Sequence, residues 1–122
     1  MADASSPDFV YRIMTVPEWA TASEAGSFGG AALDHKSGFI HLSTAAQVPG
    51  TLALFFKDTP CVVIKLVTSK LDQDALKFEA VAERGGELFP HLFAETLPVA
   101  GPVFAAKGDV TDGVIADSTF LE

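Results

Sequence analysis

Gly38-Phe39-Ile40-His41-Leu42-Ser43-Thr44 reads as a short buried strand that runs into a helix start, with one ionisable side chain at its middle. In extended backbone, successive side chains point to opposite faces, so Ile40 and Leu42 share one face and Phe39, His41 and Ser43 the other. An imidazole and a hydroxyl side by side, just ahead of the free N–H groups of a helix at Thr44, suit an anion or a carboxamide oxygen. The stretch is expected to be an interior strand.

On its N-terminal side, Asp8 to Met14 is β-branched and aromatic and predicts the first strand. Phe9, Tyr11 and Ile13 lie on one face, Val10, Arg12 and Met14 on the other. Thr15-Val16-Pro17-Glu18 is a capping box, with proline in the first turn where its missing N–H is harmless. Trp19, Ala22 and Ala25 would face inward, and Gly26 would end the helix. Ser27 to Ser37 reads as a loop.

On the C-terminal side, Thr44-Ala45-Ala46-Gln47 is a second capping box. Pro49-Gly50 is expected to interrupt that helix, which Thr51 to Lys57 resumes with Leu52, Phe55 and Phe56 inward. Cys61 to Val67 is almost continuously apolar and predicts a central strand covered on both faces. Ala75 to Glu79 reads as a strand with Leu76 and Phe78 inward, Arg84 to Glu87 as a turn, and Phe89 as extended because Pro90 follows it. Pro102 to Lys107 is the last predicted strand. The chain divides into a lead-in (1–7), one α+β domain (8–107) and a peripheral arm or tail (108–122).

Composition narrows the function. The chain has 122 residues, enough for one domain with a real core, and 16 acidic against 8 basic residues give it a net charge of −8. No Lys/Arg cluster offsets that charge, so a nucleic-acid partner is not expected, whereas a small-molecule ligand is. No apolar run reaches the roughly 20 residues that span a bilayer. An N-terminus without a basic residue speaks against a secretory or mitochondrial signal, and the single Cys61 fits a reducing cytoplasm. Oligomeric state is left open.

The chemistry rests on few residues. His41 is either a core imidazole satisfied by a carbonyl or a ligand-facing group beside Ser43. His91, after Pro90 in an apolar run, is core-satisfied or points into a cleft. Glu79 is an exposed edge-strand acid or a catalytic one. Arg12 could clamp a phosphate in a two-pronged grip or form a surface ion pair. Asp34 and His35 fall in the presumed loop, and no H-x-H, H-x-x-x-H or C-x-x-C spacing indicates a metal. Cys61 is a small hydrophobe rather than a nucleophile, and Ser43 with His41 lacks the G-x-S-x-G elbow of a hydrolase.

Tyr11-Arg12-Ile13, Glu18-Trp19, Phe39 to Thr44, Gln47, Thr51, Leu76 to Glu79 and Leu88 to Phe93 together resemble the bacterial family called domain of unknown function 952, collinearly over about residues 9–107. That family looks like a remote relative of the ADP-ribosyltransferase-like superfamily, in which a strand-then-Ser motif precedes a helix and an apolar strand. The resemblance implies two small packed β-sheets with flanking helices that clamp NAD. It places Tyr11 or Arg12 at the first cofactor position, His41 at the second, Ser43 and Thr44 near the nicotinamide, and Glu79 or His91 at the third. His41, Glu79 and His91 become the catalytic candidates for an NAD-dependent ADP-ribosyl or phosphate transfer. The alternatives are a non-catalytic nucleotide- or small-ligand-binding module and a plain structural protein. Under either binding reading, His41, Ser43, Arg12 and at least one of Glu79 and His91 should border a single concavity.

Overall fold

The computed structural model describes residues 7–117 and 119–121, so all of the expected lead-in but Pro7 lies outside the described residues. β1 (Phe9–Thr15) opens the fold. α1 (Val16–Ala25) follows directly, because both halves of the predicted capping box form: Thr15 Oγ1 accepts from Glu18 N–H at 3.2 Å, and Glu18 Oε1 accepts from Thr15 N–H at 2.9 Å. Gly26 ends the helix in the left-handed conformation, with φ of 81°. Ala22 is buried, whereas Ala25, the last residue of the helix, is exposed.

The predicted loop 27–37 holds two elements instead, β2 (Ser27–Phe28) and α2 (Ala32–Ser37). β3 is shorter than expected, only Ile40–His41. At Thr44 half of the second capping box forms, Gln47 Oε1 accepting the Thr44 N–H at 2.9 Å, and a single 3₁₀ turn follows. α3 (Val48–Phe55) then takes Pro49 into its own first turn, so Pro49-Gly50 begins this helix rather than breaking it. Leu52 is buried and Phe56 half-buried, but Phe55 is 64% exposed.

β4 (Cys61–Val67), β5 (Leu76–Val81), β6 (Glu87–Leu92), β7 (Leu97–Pro98), β8 (Phe104–Thr111) and β9 (Val114–Ile115) complete an α+β domain. The larger sheet has the order β1-β4-β8-β9 and the smaller β3-β6-β5, with β2-β7 as a separate ribbon. All the strand pairings are antiparallel. Val10, Met14, Ile64 and Leu66 pack on one face of the larger sheet, and Tyr11, Ile13 and Val63 with Val48 and Leu52 on the other. Two buried faces explain why β4 is apolar at every position but Lys65, each buried apolar side chain contributing about 1.5–3 kcal/mol. No helix among the described residues is long and apolar enough to cross a membrane.

The stretch Ile40–Ser43 is not an interior strand but a splice between the sheets. Ile40 and His41 pair with Leu92 and His91 at the edge of the smaller sheet, and Leu42 N–H still donates to Pro90 O at 3.0 Å. Ser43 then crosses to the larger sheet, exchanging both backbone hydrogen bonds with Tyr11 at 2.8 Å each. The concavity between the sheets opens at this crossing.

Gly108 to Thr111, expected as the start of an arm, continue β8. A turn at Asp112-Gly113, both at positive φ, folds β9 back onto it, and Phe120 is buried against Tyr11.

Candidate functional site

Register brings the two histidines together. His41 and His91 are direct cross-strand partners, so their side chains leave the same face of the smaller sheet, with ring centroids 5.7 Å apart. Phe39, two residues from His41 and therefore on the same face, stacks on His91 at 4.0 Å and tilts against His41 at 4.6 Å.

Each imidazole is tied at Nδ1 to a carboxylate. His41 Nδ1 is 2.8 Å from Asp34 Oδ1, and His91 Nδ1 is 2.8 Å from Glu79 Oε1, which reaches diagonally from β5. Asp34 is only 3% exposed. Its Oδ1 also accepts from His41 N–H at 2.9 Å and Arg12 Nη1 at 2.8 Å, and its Oδ2 from Ala31 N–H at 2.6 Å. Burial pushes this carboxyl up, but the hydrogen bonds from His41 and Arg12, the Arg12 charge and the Ala31 N–H outweigh it and hold it well below the usual carboxylate range. An ionised carboxylate only accepts, so the proton of neutral His41 sits on Nδ1 and its Nε2 carries the free lone pair. Neither Nε2 has a protein partner among the described residues. Thr68 Oγ1 is the one wholly buried side-chain polar atom there that lacks a hydrogen bond, so neither Nε2 is wholly buried.

Arg12 is a buried strut rather than a surface ion pair. Its Nη1 donates to His41 O at 3.0 Å as well as to Asp34, its Nε donates to Ile13 O at 3.1 Å, and the guanidinium lies 4.7 Å over Phe28. Asp34 and Arg12 thereby satisfy the N–H and C=O that β3 leaves unpaired at its open edge, which is how so short a strand holds its position.

A cavity of about 690 Å³ lies between the sheets. Tyr11, Arg12, His41, Ser43 and His91 all line it; Glu79 stands behind His91, and Thr44 lies outside the lining. Phe55, Phe89 and Leu33 supply apolar wall, and Arg84 a second guanidinium. No three His, Cys, Asp or Glu side chains converge as a metal site among the described residues. Asp34 and Arg84 line the cavity but were not among the expected site residues. In the sequence Asp34 reads only as a loop residue weighed for a metal, and Arg84 only as part of a turn. Nothing local marked Arg84.

The family model described as protein of unknown function (DUF952) matches residues 13–103. The crystal structure of protein CC0527 from Caulobacter crescentus is 35% identical, with a TM-score of 0.74 over 88% of this chain and 92% of that one. The solution structure of the same protein gives 32% identity and a TM-score of 0.70 over 89% and 91%. No curated protein matches the chain.

Proposed function

The chain belongs to the DUF952 family of proteins of unknown function, and from its cleft we propose that this member binds a nucleotide-like small molecule and transfers a group from it by acid–base catalysis. The observation that supports this reading is the pair of neighbouring imidazoles, each tethered at Nδ1 by a carboxylate and both lining one cavity. With one ring neutral and the other protonated, such a pair supplies a general base and a general acid. His41, whose side chain is 32% exposed, takes a proton from the attacking hydroxyl or water. His91, 6% exposed behind Phe39, gives its proton to a leaving oxygen as that bond breaks; the cationic nicotinamide of NAD would depart as a neutral ring and take up no proton, so with that ligand His91 only lines the cleft. Asp34 and Glu79 hold the ring orientations and stabilise the imidazolium forms.

NAD is the nucleotide that the likeness to ADP-ribosyltransferase-like proteins nominates, and the lining is compatible with it. About 690 Å³ is within the usual range for a ligand of nucleotide size, exposed Phe55 offers an apolar face for a ring, and Ser43 and Arg84 offer donors. Arg12 offers less than expected, being committed to Asp34, His41 and Ile13. When bound, NAD would supply a ribosyl carbon bearing a good leaving group. A net charge of −8 favours such a small ligand over a nucleic acid, and a reducing cytoplasm is the setting this reading assumes.

Calorimetric titration with NAD, AMP and ADP, followed by a nicotinamide-release assay, tests the proposal. Binding with turnover that falls at least a hundredfold in His41→Ala and His91→Ala is expected. Binding without turnover would leave a recognition module, a reading to which the stacking of Phe39 on His91 at 4.0 Å already lends some support. No binding by any of the three would sink both.

A further inference from the structure

We infer that Arg84 anchors a phosphate of the ligand, and that the substrate is a phosphorylated pentose or nucleoside whose reacting bond lies about one sugar ring from that phosphate. The inference rests on the reading above for placing the ligand in the cleft, and it adds the chemical class.

The cavity holds two guanidinium groups in unlike states. Arg12 gives Nε and Nη1 to three acceptors and has its counter-charge in buried Asp34, so that only its Nη2 lacks a protein partner among the described residues. Arg84 makes one long bond, Nη1 to Thr51 Oγ1 at 3.4 Å, and lies 4.7 Å over the Phe89 ring. No carboxylate pairs with it among the described residues, although Glu83 and Glu87 flank it in a chain with twice as many acids as bases. An arginine laid on an aromatic face keeps its planar edge of donors for a ligand, and that edge matches phosphate in a two-pronged grip.

Gly50 lies close against the same guanidinium. A Cβ there would come within 3.2 Å of Arg84 Nη2. Gly50 is not at positive φ, and it sits inside α3, where glycine weakens a helix relative to alanine. Space for the guanidinium is what the missing side chain provides.

The register then sets the length of the ligand. Phe89 and His91 lie on the same face of β6, about 7 Å apart along the strand. A phosphate held by Arg84 over Phe89 thus leaves the imidazole pair one pentose width away, at the far side of the sugar.

The test compares AMP, ribose 5-phosphate and adenosine on the full chain by amide chemical-shift titration. AMP and ribose 5-phosphate should shift the Gly50, Thr51 and Arg84 amides, and adenosine should bind at least tenfold more weakly than AMP. Arg84→Gln should bring AMP down to the adenosine level without altering adenosine, and Arg84→Lys should restore only part of the loss. Gly50→Ala should weaken AMP several-fold while raising the thermal midpoint, a combination that mere structural damage cannot give. Equal binding of AMP and adenosine, equal weakening of both by Arg84→Gln, or no binding of either phosphate overturns the inference. Loss of turnover in His41→Gln with phosphate-dependent binding retained bears on the catalytic pair and leaves the anchor standing; phosphate-independent binding with full turnover overturns the anchor alone.

Discussion

At Asp34 burial and pairing pull in opposite directions, and pairing wins: the carboxyl is held well below its ordinary range by His41, Arg12 and Ala31 against the cost of desolvation. A carboxyl depressed in the folded state stabilises the fold above its unfolded value, about pH 3.9, and loses that contribution as pH falls through the folded value. Asp34→Asn should therefore cost about 3 kcal/mol at pH 7, because it leaves the Arg12 guanidinium buried without its counter-charge. Urea unfolding of both proteins from pH 7 down to pH 2 checks this, and the gap between them should narrow below about pH 4. A gap constant across that range would show that the carboxylate charge is not what matters. His41 and His91 were legible as candidates because an ionisable group in an apolar run is conspicuous in any sequence. Asp34 was not, since an Asp followed by His-Lys-Ser-Gly looks like a solvated turn until the helix and the buried guanidinium beside it are seen. The bond from Glu79 to His91 is a diagonal contact across two strands that only the register of β5 against β6 reveals.

Among the elements, those with a strong period or a full cap were readable and those made by tertiary contact were not. β1, β4 and α1 fall within a residue or two of expectation, because alternation, a continuous apolar run and a two-sided capping box are local signals. α2 has six residues and an alanine at its cap, so its stability comes from Asp34 and the packing around it rather than from propensity. β3 is the instructive case. Its apolar pattern correctly implied burial, but the pattern does not say which sheet the chain pairs with, and here it pairs with both in turn. Two hydrogen bonds between Ser43 and Tyr11 join the sheets at the crossing. Ser43→Pro removes the N–H of one and orphans the Tyr11 carbonyl, which should cost at least about 1–3 kcal/mol. Ser43→Ala keeps both bonds and should cost less than about 1 kcal/mol, the hydroxyl not being part of the join. Denaturant midpoints of the two variants separate the backbone role from the side-chain one, and equal losses would mean that the splice contributes nothing.

On the scale of the whole molecule, the cleft depends on a residue far outside the stretch that the family model matches, 13–103. Phe120 reaches back across the larger sheet, its ring 5.8 Å from the Tyr11 ring, and its carbonyl accepts from Lys65 Nζ at 3.0 Å. Tyr11 is fully buried between that ring and the cavity, so the C-terminal stretch backs one wall of the site. The sequence beyond Gly108 is rich in Asp and Gly and reads as peripheral, because a lone Phe carries no period; what seats it is the absence of a side chain opposite. A Cβ on Gly108 would lie 2.9 Å from the Phe120 ring, closer than atoms approach without displacement. Gly108→Ala should therefore destabilise by about 1–3 kcal/mol through overpacking, and Phe120→Ala by about 3 kcal/mol through the lost ring. The two effects must not add. With Phe120 already reduced to alanine, the same change at Gly108 meets open space and should cost almost nothing, giving a coupling of about 1 kcal/mol or more. Denaturant unfolding of the four proteins of this cycle measures it. Strict additivity would detach the C-terminal stretch from the sheet, and with it the support proposed for the Tyr11 wall of the cleft.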